Sequence, residues 1–169
     1  MDRSDPSDPY FKWPEPQDDS DRKLLDDVIE HKCHIIGIPE GPHGPSYSFS
    51  VGLFLHFEHP EIIIFGLPYT VAATAINDIR TFIEQGRFFK AGDISEQIFA
   101  GYPGAFIDVS RAFYPYYLGT AIWFYRSINN GFPVMQIVWP DKNGKFPWQE
   151  GYDVHYNARQ PLLNAKQKR

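Results

Sequence analysis

The sequence predicts an α+β domain, a mixed and largely antiparallel sheet of about five to six strands packed against two to three helices. Three observations lead there. Short β-type runs outnumber helical ones, most connections between them are short, and one long segment carries a clean helical stripe. Three regions follow from composition: a flexible Asp/Pro-rich arm over 1–20, a single globular domain over 21–157, and a basic tail over 158–169.

The arm is interrupted by an aromatic island, Tyr10-Phe11-Lys12-Trp13, which is expected to strap onto the domain rather than hang in solvent. Ser20 is placed to cap a first helix near 21–32, with Leu24, Leu25, Val28 and Ile29 at helical spacing. Cys33 to Ile38 reads as a strand stopped by Pro39, and the Pro/Gly-dense stretch to Pro45 as a turn. In the next run Tyr47, Phe49 and Val51 alternate with Ser46, Ser48 and Ser50, which predicts a strand with one wet or ligand-facing side. His56 and Glu58 fall in an expected exposed bend.

Glu61 to Gly66 has no alternation and suits a central strand covered on both faces. Pro68 opens a second helix, striped by Val71, Ala72, Ala75, Ile76, Ile79, Phe82 and Ile83 and closed by Gly86. Arg87–Phe89, Ile94–Phe99 and Ala105–Val109 read as shorter strands. Phe113–Ile128 reads as a third helix with Asn129-Asn130-Gly131 as its C-cap, and Pro133–Trp139 as a last strand before the Asp141–Gly144 turn.

A chain of 169 residues can bury about two-thirds of its unfolded surface, enough for a core without staples. One cysteine, Cys33, excludes an internal disulfide and a Cys-rich zinc site, and points to a reducing, cytoplasmic setting. No apolar run approaches the roughly 18 residues of a membrane span. The acidic excess of the first 21 residues equals the net charge of the whole chain, −5, so the remainder offers no basic face for sequence-specific nucleic-acid binding. Arg159, Lys166, Lys168 and Arg169 make only a short basic tail. Fourteen Phe, ten Tyr and four Trp predict an aromatic core and aromatic walls for any pocket.

Three segments read together resemble the bacterial family called domain of unknown function 4262. They are Tyr47-Ser-Phe-Ser-Val-Gly-Leu53, His59-Pro-Glu-Ile-Ile-Ile-Phe-Gly-Leu67 and Gln136-Ile-Val-Trp-Pro-Asp-Lys-Asn-Gly-Lys-Phe-Pro-Trp148, with Asn77 and Gly86 between them. The resemblance implies a bacterial single domain over roughly 30–150. It carries no catalytic residue across.

The side chains themselves rank the sites. His56-Phe-Glu-His59-Pro-Glu61 gathers imidazoles and carboxylates, but the two histidines are three apart around a proline, unlike a helical zinc pair. A loop-built metal site would draw on His34, His56 and His59. The plainer expectation is a hydrogen-bonded turn, with no cofactor. No Gly-x-Ser-x-Gly elbow or phosphate loop occurs. Trp139, Trp148 and Asp141 are expected to meet in a stiff turn that either clamps a flat ligand or plugs the core. Asn77, Gln136 and Asp108 stand in apolar segments and, where buried, need partners.

Two functions follow. The first is a non-catalytic binding protein of immunity or accessory type, its aromatic-lined site using Tyr47, Asn77, Gln136, Trp139 and Trp148 for an unknown protein or small molecule. The alternative is a small hydrolase or transferase, which requires His59, Glu61 and Asp141 to converge.

Overall fold

Alternation along the strands decides which side of the sheet each helix covers. The computed structural model describes residues 10–128 and 131–164. Six strands, β1 (His34–Ile38), β2 (Tyr47–Val51), β3 (Glu61–Phe65), β4 (Ile94–Phe99), β5 (Tyr102–Asp108) and β6 (Val134–Val138), form one sheet in the order β1-β2-β3-β6-β5-β4. β3 and β6 are parallel, and every other neighbouring pair is antiparallel. The fold is the expected mixed α+β sheet.

One face carries Phe49, Val51, Ile63, Phe65 and Val134. It is covered by α1 (Asp19–His31) through Leu24 and Val28, and by two short helices, α4 (Tyr114–Tyr117) and α5 (Gly119–Phe124). The other face carries Ile62, Ile64, Phe106, Met135 and Ile137, and packs on α3 (Tyr69–Glu84) through Ala72, Ala75, Ile76, Ile79 and Ile83. β3 and β6 lie between the layers and are buried along their whole length, which is why Glu61–Phe65 shows no polar alternation. No helix among the described residues is long and apolar enough to cross a membrane.

Several elements differ from the sequence expectation. The N-cap of α1 is Asp18, whose Oδ1 accepts the Asp21 N–H at 2.8 Å, so Ser20 lies inside the first turn. Val71 turns outward from α3. Arg87–Phe89 is not a strand, because the Phe89 N–H is given to the His59 ring instead of a ladder. The expected third helix is broken into a 3₁₀ turn, Arg111–Phe113, and α4 and α5, which meet at Leu118 (φ −118°, ψ 31°). Its Tyr-Pro-Tyr-Tyr-Leu-Gly-Thr sequence is poor in helix formers, and burial of Leu118 and Phe124 sets its course instead. Asn129, Asn130, Lys166, Lys168 and Arg169 lie outside the described residues.

Both flanks of the expected 21–157 domain contribute to the core. Phe11 is buried and packs on Phe124 at 5.2 Å, with Trp13 edge-on to the same ring at 5.8 Å, so the aromatic island is a strap. At the other end Gln160 and Leu163 are buried. The Ser110 N–H donates to the Leu163 carbonyl at 2.8 Å.

Candidate functional site

The serine face of β2 is dry. Ser48 and Ser50 point toward α3 and are buried, so this side is not the wet one expected from the alternation, although Ser46 and Ser48 line a cleft at the start of the strand. At the end of the β2–β3 pair, Ser50 is taken up by Glu61, the first residue of β3. Ser50 Oγ accepts the Ile62 N–H at 2.9 Å and donates to Glu61 Oε1 at 3.2 Å. The Leu53 N–H reaches Oε1 at 2.8 Å and the Gly52 N–H reaches Oε2 at 3.0 Å. Tyr125 Oη, which accepts from Leu55 N–H at 3.2 Å, donates to Oε2 at 3.2 Å.

Glu61 thus caps α2 (Leu53–Phe57), a one-turn helix where the sequence reading expected only an exposed bend. Gly52 makes this approach possible. Its φ of +115° suits glycine, and a Cβ there would lie 2.7 Å from the Lys32 carbonyl oxygen. Burial pushes the Glu61 carboxyl up to about 8, against the four donors that favour its charge. Burial and the adjacent Glu61 likewise raise the Tyr125 phenol.

His59 is also fully used. The Phe89 N–H can only donate, so His59 Nε2, 3.1 Å away, is the acceptor. Nδ1 therefore carries the proton and donates it to the Pro60 carbonyl at 2.8 Å. Burial lowers the ring's pKa, and the imidazole is a neutral strut between β3 and the segment at Phe89. His56 Nε2 donates to the Val28 carbonyl at 3.1 Å, tying α2 to α1. The three metal candidates His34, His56 and His59 thus have separate partners, and the described residues hold no group of three His, Cys, Asp or Glu placed for a metal.

Asp141 is not near them. Glu61 pairs with Val134 at the start of β6, whereas Asp141 follows the end of β6, and that strand alone separates the two by about 13 Å. The His59–Glu61–Asp141 convergence expected for an enzyme is therefore corrected, because two parallel strands place the carboxylates at opposite ends. Asp141 Oδ1 accepts from Asn143 N–H at 2.8 Å and Lys145 N–H at 2.9 Å, and Oδ2 from Asp153 N–H at 2.9 Å. Desolvation pushes its pKa up, but the N–H groups of Lys145, Asp153 and Asn143 outweigh that and hold it below the ordinary carboxylate range.

The expected indole clamp is absent. Trp139 is buried on the α3 side, donating Nε1–H to the Phe65 carbonyl at 2.7 Å, while its backbone is bracketed by Gln160. Trp148 is half exposed and stacks on Phe146 at 5.1 Å, against Val138 on the opposite face. Gln136 is buried as its partners require: it donates to the Pro161 carbonyl at 2.8 Å and accepts from Leu163 N–H at 3.0 Å. Asn77 is exposed on α3.

Two clefts lie along β1, one at each end. The first, about 450 Å³, is lined by Ile38, Ser46, Tyr47, Leu67, Pro68 and Tyr69 among others, and its wall is largely apolar. Tyr47 stands there against Phe65 at 5.3 Å and Tyr117 at 5.4 Å. The second, about 520 Å³, lies between α1 and α3 and contains Lys23, Asp27, His34, Tyr69, Asn77 and Arg80. Asp27 Oδ2 meets His34 Nδ1 at 2.7 Å. Desolvation pushes the Asp27 pKa up, but the bonds from His34 and Lys23 prevail and lower it. Sequence reading missed this pair, since the seven-residue separation of Asp27 and His34 spans a helix end and a strand start. Cys33 also lines this cleft but is buried with the α3-side core, its thiol pushed up by that burial.

The sequence profile of the family described as domain of unknown function DUF4262 matches residues 27–153. The chain belongs to the DUF4262 family. No curated protein and no solved structure matches it. The DUF4262 match includes the Glu61 network, the Asp141 turn and the Tyr47 cleft. The Phe11 strap and the closing segment at Gln160 and Leu163 lie beyond its ends.

Proposed function

We propose that this DUF4262 protein is a non-catalytic binding domain, of immunity or accessory type, acting in the cytoplasm. The observation that carries the reading is the cleft at Tyr47. It pairs an apolar and aromatic wall with a few polar groups, and its volume falls in the range of small-ligand sites. The polar residues that suggested chemistry support the same reading, because His59, Glu61 and Asp141 spend their bonds on backbone groups. The lone buried Cys33 suits a reducing compartment.

A panel of small aromatic probes, indole, phenol, benzoate and nicotinamide, titrated into the labelled protein tests the reading. Saturable amide shifts at Gly37, Ser48 and Leu67 are expected, and Tyr47→Ala should abolish them while leaving the remaining spectrum in place. Shifts that never saturate, or that persist in Tyr47→Ala, would contradict it.

A further inference from the structure

The two edges of the sheet are built differently. β4 pairs with β5 through a register shift between Ser95 and Phe99 and carries Glu96 in mid-strand, both devices that discourage another strand from adding to it. β1 has neither. Its five residues pair with β2 in unbroken register from His34↔Val51 to Ile38↔Tyr47, with no proline or bulge. Among the described residues its backbone makes no backbone hydrogen bond outside that ladder, and every second residue of such an edge directs its N–H and C=O away from the sheet.

The clefts lie along this edge. His34 and Ile35 line the polar one, Gly37 and Ile38 line the aromatic one, and Tyr69 is shared by both. The Tyr69 ring lies over Gly37, where a Cβ would come within 2.6 Å of it, so the absence of a side chain lets the ring sit between the two. Charge is not shared equally. The polar cleft is lined by two fixed cations, Lys23 and Arg80, against one carboxylate, Asp27, which meets Lys23 and His34; Arg80 also meets Glu84 at 3.1 Å. The aromatic cleft has no charged lining residue, so the fixed positive excess along this edge lies at the polar end.

We propose that β1 receives an extended acidic peptide segment of a partner protein as an added strand. The segment's carboxylates meet Lys23 and Arg80, and its apolar side chains enter the Tyr47–Tyr69 cleft. Main-chain bonds to the free edge supply affinity that is indifferent to sequence, and the two clefts supply the selection. His34 donates its Nδ1–H to Asp27, so the other nitrogen of the neutral ring is an acceptor, suited to an N–H of the incoming segment. The inference rests on the binding reading above and names the partner of the same site.

The test uses the full chain and three labelled pools of blocked heptapeptides, long enough to span the roughly 17 Å of β1. One pool alternates Glu or Asp with Val and Ile and ends in Phe or Tyr. The second has Lys at the acidic positions, and the third keeps the acidic sequences with alternate backbone nitrogens methylated. By fluorescence anisotropy the acidic pool should bind, the lysine pool roughly tenfold or more weakly, and the methylated pool not at all. Lys23→Ala with Arg80→Ala should weaken the acidic pool and flatten its salt dependence at unchanged melting temperature. Equal binding of methylated and unmethylated pools, or binding by none, overturns strand addition. If the aromatic probes still saturate the Tyr47 cleft in that case, the binding reading stands without it. Should probes and peptides both fail, both fall.

Discussion

β3 and β6 run side by side in the same direction, and a carboxylate stands at each end of the pair. Glu61 at one end and Asp141 at the other do the same work: each collects N–H donors from chain that must turn sharply. Their surroundings differ. Glu61 lies between the sheet and its helices with 1% of its surface exposed, and burial raises its pKa. Asp141 is also covered, with 5% of its surface exposed, but only by a thin turn whose next four residues are exposed, and there the N–H groups hold its pKa down against desolvation. The same kind of hydrogen-bonded carboxylate therefore moves in opposite directions, and depth in the protein decides which.

The sharpest way to break this comparison is to delete the buried end. Glu61→Ala leaves two backbone N–H groups and two hydroxyls facing a dry void and should cost about 3–5 kcal/mol, measured by urea unfolding. Loss of under about 1 kcal/mol would mean that the network is wet or adaptable. Trp139→Ala at the far end should cost nearly as much, about 3–5 kcal/mol, because the indole is buried and bonded to Phe65. Trp148→Ala, half exposed, should cost about 1 kcal/mol or less. Equal losses at the two tryptophans would contradict the separation of their faces.

The sheet was legible in the sequence because its strands obey simple patterns: an apolar run for β3, an apolar run broken only by Gln136 for β6, and alternation for β2. What the sequence hid was which polar residues share a face. Ser50 looks like part of a hydrated stripe until Glu61, eleven residues on, is seen to bond it at the end of the β2–β3 pair. His59 looked reactive because a histidine beside a carboxylate is the raw material of acid–base chemistry. Its two backbone partners, Pro60 and Phe89, leave no periodic trace. The break at Leu118 was written in Pro115 and Gly119, but the surrounding aromatics imitated a helical stripe.

The two ends also predict different responses to pH. Glu61 has an ordinary value of 4.5 and a folded value of about 8. Between them the native chain holds a proton that the unfolded chain has released, so stability should fall as pH rises from about 4.5 to about 8 and level off above that. At about 1.4 kcal/mol per unit of pKa the decline amounts to several kcal/mol, and Glu61→Gln should flatten it. Asp141 works the other way. Its contribution is full above its ordinary value of 3.8 and is lost as pH falls through the lower folded value, so Asp141→Asn should remove only acid-side sensitivity. A smaller effect sharpens the buried end: nitrogen-detected NMR of His59 should show the neutral ring with its proton on Nδ1 across neutral pH, and an imidazolium or an Nε2–H ring would contradict the strut.

The most direct measurement is a carboxyl-carbon NMR titration that follows Glu61 and Asp141 in one sample. Glu61 should titrate far above the ordinary glutamate range, toward about 8, and Asp141 below the ordinary aspartate value of 3.8. Two carboxylates titrating together at ordinary values would contradict the account.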